Sequence, residues 1–323
     1  MAAEASRITI EAVRAARELL KNIVPTSRMV LSKFLSDAAN ARVFLKLECE
    51  GPTGSFKVRG AYHAIQRRLE RIPMAGVVTS STGNHGAATA FAARQMGLPA
   101  KVFLPENPNP AKRARIEQQG AEIVEVGKYL EETRQYAARF AEESGWFNLV
   151  DGVETEMLPG TATIGSEIME QVPEVDVVFV PVGDSTLIQG VSFSLKAARP
   201  DVRVIGVQAK RAPAYALGFA KGHGISTDAS DTIADGLAVR EAREENVREI
   251  RKTVDEFLLV TDEEMLSAVK QLEVQERLRC EPSGAASTAA LLQAAPAHAG
   301  KTVVLLVTGA NIPEEMFLHA MQS

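Results

Sequence analysis

Cysteine is nearly missing from this 323-residue chain: Cys49 and Cys280 stand far apart and form no CxxC pair. That leaves no basis for a disulfide scaffold or a zinc-ligand set, and it is compatible with a reducing cytosol. Cys49 ends an apolar, strand-like run and reads as a buried, inert thiol. No apolar stretch approaches the ~18 residues that a membrane span needs. The opening segment, Met1 to Arg7, carries Glu4 and no apolar core, so it does not read as a secretory signal. A basic excess is absent too: 36 Lys and Arg face 41 Asp and Glu, for a formal charge of −5. Nucleic acids and anionic membranes favour a basic stripe, and none is present. Arg67-Arg68 and Lys112-Arg113-Arg115 read as solvated helix faces. Neither GxxxxGK[ST] nor GxGxxG occurs, which removes the common nucleotide fingerprints. Hydrophobic content of 46% and charged content of 24% are ordinary for a globular chain, so a soluble, cytoplasmic protein is expected.

What is present alternates between strand and helix signals. At this length two compact lobes are the expectation. Thr9 caps a helix predicted through Leu20, and Val43–Glu48 reads as a strand. The Gly51-Pro52-Thr53-Gly54 turn then delivers Ser55 and Lys57 to the head of a helix running to about Leu69. From Gly76 the pattern is strand, helix, strand, helix: strands at 76–80, 101–104 and 121–126, helices at 84–96, 110–119 and 130–144. This spacing predicts a parallel sheet with right-handed crossovers. The second half repeats it, with helices predicted at 163–171, 187–198, 261–279 and 283–294. Val175–Val182 and Val303–Thr308 are continuous apolar strands of the kind buried on both faces, and Val202–Gln208 is a third strand. The fold class is α/β.

Two segments carry chemistry. Thr53-Gly54-Ser55-Phe56-Lys57-Val58-Arg59-Gly60-Ala61 places one amine at a helix start, where the dipole favours anions instead. Taken alone, such a lysine is an exposed cation. Its misplacement suggests a purpose, because the positive helix end would lower the amine's pKa, as an imine-forming lysine needs. Twenty-four residues later, Ser81-Thr82-Gly83-Asn84-His85-Gly86 puts small residues and a carboxamide at a second strand-to-helix turn, where N–H groups can hold an anion. Its plain reading is a Ser/Thr-capped helix start. Together the two suggest a carbonyl cofactor held as an imine, with an amino acid carboxylate bound nearby. Gly183-Asp184-Ser185-Thr186-Leu187 opens another helix after a buried strand, where a phosphate can be cradled, or where Asp184 or Ser185 simply caps the helix.

With Thr232-Ile233-Ala234-Asp235-Gly236-Leu237-Ala238-Val239, Glu281-Pro282-Ser283-Gly284-Ala285-Ala286 and Thr308-Gly309-Ala310-Asn311, these motifs occur in a fixed order. In that order the chain resembles the fold-type II pyridoxal-phosphate enzymes of the threonine/serine dehydratase and serine racemase group, from about residue 20 onward. The resemblance implies a two-lobed, tryptophan-synthase-β-like fold, with a small lobe at 73–150 inserted into a large one built from 1–72 and 151–323. It makes Lys57 the Schiff-base residue that also takes the Cα proton, and it sets Phe56 behind the cofactor ring. Ser81, Thr82, Gly83 and His85 fall at the substrate, with His85 orienting or packing. Asn84 meets the phenolic oxygen, Gly183 to Leu187 the phosphate, and Thr308 the pyridine nitrogen. A homodimer is the family's expectation.

Several positions depart from that pattern. Relatives usually carry four glycines where this chain has Gly183-Asp184-Ser185-Thr186, so Asp184 is expected to turn away from the phosphate while Ser185 and Thr186 donate hydroxyl bonds. A divalent-cation site in relatives maps to Val207–Ala214, where Gln208 and Ala214 replace the carboxylates, so no structural metal is expected. Leu158-Pro159-Gly160-Thr161 replaces Gly-Gln-Gly-Thr and is expected to reshape the pocket. Asp235-Gly236 and Glu281 line the cleft without an assigned step. The expected activity is a dehydratase (ammonia-lyase) converting threonine, serine or a larger β-hydroxy amino acid to a 2-oxo acid and ammonia. Two alternatives stay open: an amino acid racemase, for which the Thr82 hydroxyl is the mark, and a non-catalytic binding protein on the same scaffold.

Overall fold

A computed structural model describes residues 7–322, so the opening segment weighed as a leader lies, but for Arg7, outside the described residues. The first strands along the chain are β1 (Met29–Leu31), β2 (Arg42–Leu47), β3 (Val77–Ser80), β4 (Ala100–Leu104), β5 (Glu122–Glu125) and β6 (Phe147–Asn148). Then come β7 (Val177–Pro181), β8 (Arg203–Ala209), β9 (Ile225–Ser226), β10 (Glu241–Ala242), β11 (Glu256–Val260) and β12 (Thr302–Val307). The larger sheet has six strands in the order β1-β2-β12-β7-β8-β11, and every neighbour is parallel except the edge strand β1. The smaller has four parallel strands, β5-β4-β3-β6, all drawn from one continuous stretch of chain. β9 and β10 form a separate antiparallel pair.

The strand chemistry follows from this layering. Every residue of β7 and β12 is buried, because helices cover both faces of the larger sheet. Helix boundaries follow the local signals closely. Thr9 accepts from the Ala12 N–H and starts the helix Ile10–Leu20, and the helix Leu130–Ser144 ends at Gly145 in a left-handed conformation. The helix expected from Thr163 begins earlier, at Leu158, because Pro159 fits a first turn whose N–H groups have no partner anyway. The helix expected over 261–279 runs Asp262–Glu276 behind a reciprocal Thr261/Glu264 capping box.

One helix connects the two sheets. Helix Lys57–Arg71 buries Val58, Ala61, Ala64 and Ile65 against Val77, Val102, Ala88 and Phe91 of the smaller sheet and its helix. Full burial of one such aliphatic chain is worth about 1.5–3 kcal/mol. The other side of the same helix is fixed by charge. Arg59, 1% exposed, donates to Glu48 Oε2 (2.8 Å) and Oε1 (2.9 Å), and to Glu167 Oε1 (2.7 Å) and Oε2 (3.0 Å). Lys46, fully buried on β2, donates to the same Glu167 at 2.6 Å, to Gln171 at 2.8 Å and to the Ser27 carbonyl at 3.0 Å. Two cations and two carboxylates thus balance in the interior.

Burial alone would raise the Glu167 carboxyl, but Arg59 and Lys46 reverse this and hold it below its usual range. A depressed carboxyl stabilises the fold above its unfolded pKa, and that stability is lost as pH falls through the folded value. Glu167→Ala leaves two buried cations sharing one carboxylate, and we expect a loss of about 3–5 kcal/mol in urea unfolding. Glu167→Gln, which keeps the volume but not the charge, is expected to lose most of the same stability.

Candidate active site

The cleft between the two sheets opens where parallel strands end, the usual place for ligands in such folds. Its volume is about 870 Å³, within the range of small-molecule sites. Phe56, Lys57, Ser81, Thr82, Gly83, Asn84, His85, Gly183, Asp184, Ser185, Thr186, Leu187 and Thr308 all line it, although the sequence spreads them over 250 positions. Asp235, Gly236 and Glu281 line it as well.

Lys57 is positioned by the turn before it. Gly54 adopts φ +69°, and a β-carbon there would lie 2.7 Å from the Asn311 side-chain oxygen, so only glycine fits. The turn is then tied to the end of β12: Phe56 N–H donates to the Thr308 carbonyl (3.2 Å) and Ala310 N–H to the Gly54 carbonyl (2.9 Å). Lys57 emerges at the first turn of its helix with its amine 4.9 Å from the Phe56 ring centroid. It forms an ion pair with Asp151, which lies just beyond Leu149 and Val150 in the loop after β6. Asp151 also accepts from Thr186 Oγ1 (2.7 Å) and from the Gly152 N–H (3.0 Å).

This pairing corrects the expected electrostatics. Burial does pull the Lys57 amine down, but Asp151 and Asp184 outweigh it, and the net shift is upward. Burial likewise would raise Asp151, yet the Lys57 ammonium holds it well below the usual carboxylate range. Asp184 was expected to face away, but it faces into the cleft. Burial and the Asp151 charge push its carboxyl up to about 6.

The other predicted residues have clear partners. Asn84 opens helix Asn84–Gln95, donates to Glu281 Oε1 at 2.7 Å and accepts from Asn311 at 2.6 Å. Glu281, raised by burial, accepts from Ser283 as well, at 2.8 Å. His85 is bonded through Nε2 to the Leu149 carbonyl at 3.0 Å, and burial lowers its pKa, so the ring is held neutral. Its Nδ1, Ser80 Oγ and Asn148 Oδ1 are buried cleft atoms without a protein partner among the described residues. Thr308 Oγ1 makes only a long, 3.4 Å bond to the Ser283 carbonyl. Of the hydroxyls expected to compensate for missing glycines, Thr186 donates to Asp151, while Ser185 accepts from Gln189 at 2.9 Å, a bond that does not use its own proton. Ser185 carries φ +69°, a left-handed conformation in which glycine is strain-free. Pro159 is buried in its helix and does not line the cleft, which corrects its expected role in shaping the pocket.

No group of three or more His, Cys, Asp or Glu able to hold a metal occurs among the described residues. Gln208 instead bonds backbone on both sides, donating to the Val182 carbonyl (3.2 Å) and accepting from the Ala216 N–H (2.8 Å). Cys49 is buried, and burial pushes its thiol up to about 12, which makes it inert. Asp151 escaped the sequence reading. Its one signal is an Asp-Gly pair where a parallel strand ends.

A half-buried lysine, an adjoining carboxylate and helix N-termini around one cleft between the two sheets define a cofactor-dependent α/β enzyme. The family model described as "Pyridoxal-phosphate dependent enzyme" matches residues 20–309. An L-threonine ammonia-lyase of Thermotoga maritima is 35% identical over 309 residues, covering 96% of this chain and 77% of the relative. Among solved structures, maize serine racemase is similar with a TM-score of 0.92 at 29% identity, over 98% of each chain. The processed threonine deaminase isoform 2 of Solanum lycopersicum aligns at a TM-score of 0.91 and 26% identity, over 99% of this chain and 90% of the other. The chain belongs to the pyridoxal-phosphate-dependent enzymes.

The cleft's donor set fits that cofactor. Lys57 offers the amine for an aldehyde, the orphaned polar atoms await partners, and the first N–H groups of helix Thr186–Ala198 face the cavity as a phosphate cradle needs. Gly183 sets the shape of that cradle, since any β-carbon there would run into the Gly236 carbonyl. Gly183→Ala is therefore expected to weaken cofactor binding about tenfold or more in an absorbance titration, with a stability loss of about 1–3 kcal/mol from overpacking.

Proposed function

We propose that this protein is an ammonia-lyase of the threonine/serine dehydratase type, releasing a 2-oxo acid and ammonia from a β-hydroxy amino acid. One observation carries the reading: a lysine amine at a helix head, in a cleft, clamped by a carboxylate rather than exposed to solvent. The similarity to an L-threonine ammonia-lyase over nearly the whole chain supports the choice of reaction. Pyridoxal phosphate, when bound, supplies the carbonyl that captures the substrate amine and a conjugated ring that accepts electrons from Cα.

The chain's own residues do the rest. Lys57 holds the aldehyde and, once freed, takes the proton from Cα. The Ser81-Thr82-Gly83 turn binds the substrate carboxylate with its N–H groups and hydroxyls. Asn84, fixed by Glu281 and Asn311, faces the phenolic oxygen, and Thr308 offers a neutral hydroxyl to the pyridine nitrogen. A hydroxyl cannot hold that nitrogen protonated, which suits elimination over a long-lived carbanion. His85 is neutral and bonded to backbone, so it orients rather than transfers protons. The same reading assigns residues 73–150 to the small lobe and the flanks to the large one, as the separate four-stranded sheet supports. A homodimer and a cytoplasmic setting belong to it as well, on the resemblance and the scarce cysteines.

A screen of β-hydroxy amino acids of both configurations is expected to give 2-oxo acid release with threonine, serine or a larger relative. Lys57→Ala should abolish that release and the absorbance of bound cofactor; retained turnover in the variant would contradict the reading.

The racemase alternative has an observation of its own. Thr82 lines the cleft, and its hydroxyl has no partner among the described residues. A chiral assay decides between them. On the ammonia-lyase reading, Thr82→Ala leaves most 2-oxo acid release intact and no inversion accompanies wild-type turnover; inversion that disappears in the variant marks a racemase.

A further inference from the structure

The cleft holds two carboxyls beside one lysine, and they are not equivalent. Asp151 is saturated: it takes the Lys57 ammonium, the Thr186 hydroxyl and the Gly152 N–H. Asp184 lies against Gly152 on the opposite loop and lines the same cleft, yet its carboxyl makes no hydrogen bond among the described residues. Only its main-chain carbonyl is engaged, by the Tyr215 hydroxyl at 3.5 Å. Of two neighbouring carboxyls in one cleft, the one with fewer donors holds its proton to the higher pH. That one is Asp184.

We propose that Asp184 is the general acid that protonates the departing β-hydroxyl, while Asp151 holds Lys57 for the Cα proton. The assignment rests on the ammonia-lyase reading and deepens it. Lys57 takes the proton from Cα, and the electron pair of that C–H bond becomes the second Cα–Cβ bond. The Cβ–O bond breaks, its pair leaves on oxygen, and the Asp184 O–H supplies the proton that makes the leaving group water. One proton is taken and one is given; exchange of both groups with solvent restores the starting state. Hydroxide is a poor leaving group, so an acid at this point contributes most for hydroxyl-bearing substrates and little for substrates with a good leaving group.

The groups facing Asp184 set its charge. Asp151 raises its pKa, while Lys57, Arg134 of helix Leu130–Ser144 and Arg243 before helix Glu244–Thr253 lower it; burial and Asp151 prevail. With the proton required, activity on a hydroxy substrate falls as pH rises through the Asp184 pKa of about 6.

The test uses the holoenzyme with L-serine or L-threonine beside β-chloro-L-alanine, whose chloride departs without a proton. Asp184→Asn is expected to lose about 100-fold or more in kcat on the hydroxy substrate, yet stay within about threefold on the chloro substrate. It should also lose the alkaline limb of the pH profile and bind the cofactor at least as tightly as the wild type, read by absorbance. Asp184→Gly, which restores the residue relatives carry, should show the same split. Equal losses on both substrates, an unchanged rate on the hydroxy substrate, or a defect confined to cofactor affinity would overturn the proposal alone. Wild-type protein inactive on the chloro substrate and on every β-hydroxy amino acid of the screen would overturn the ammonia-lyase reading and this proposal with it.

Discussion

The fold's central constraint is the charged interior beneath the reactive lysine. Arg59 lies two residues after Lys57, and its guanidinium is shared by Glu48, just past β2, and Glu167, on helix Leu158–Gln171. Lys46, on β2 itself, completes the balance. A buried ion network of this kind adds little net stability over a well-packed apolar core, because desolvation offsets most of the attraction. Its value is directional. Hydrophobic burial lets a helix slide or rotate, whereas the four charged hydrogen bonds of Arg59 fix both its register and its rotation. The apolar face of the helix packs on the smaller sheet while Arg59 holds it to the larger, so the amine is set between them.

The second constraint acts at the amine. A helix N-terminus repels a cation by a few tenths of a kcal/mol up to about 1 kcal/mol. A carboxylate in direct contact, with little water between, exerts more. The expectation that the helix end lowers the Lys57 pKa therefore gives way to the ion pair with Asp151. In this state Lys57 is a held ammonium, not a ready nucleophile. Were the amine engaged by an aldehyde, Asp151 would keep Thr186 and the Gly152 N–H as its donors. The same carboxylate can thus position Lys57 before and after it is freed.

Much of this was legible in the sequence, and the limits have physical causes. Long periodic helices with caps, such as Ile10–Leu20 and Leu130–Ser144, and the continuous apolar strands β7 and β12 read directly, because local chemistry determines them. The helices Lys33–Ala39, Ala214–Lys221 and Glu244–Thr253, with the partner strand β11, went unread. The helices are short, 7, 8 and 10 residues, and tertiary contacts decide them. Cleft membership was legible through motif order, since strand-to-helix turns in parallel sheets converge on one edge. Asp151 was not, because its role depends on contact with Lys57, 94 residues away in the chain. Pro159 misled for the opposite reason: adjacency in a motif was taken for adjacency in space, and the helix turns it inward.

The loop after β7 shows why local rules and site chemistry diverge here. Ser185 occupies a left-handed conformation at a cost of roughly 1–2 kcal/mol, and Asp184, half-buried, makes no hydrogen bond through its carboxyl among the described residues, which adds to that cost. Glycines at these positions would remove both penalties. Strain and orphaned polar groups that persist together at a cleft mark sites where stability is subordinate to chemistry. A dianion held by the helix end beside Asp184 would repel an ionised carboxylate and so favour the form of Asp184 that keeps its proton. The substitution that looks like a defect for anion binding is then the feature that supplies a proton where one is needed. That coupling turns the departure from a glycine run into a functional difference, because a glycine has no proton to give.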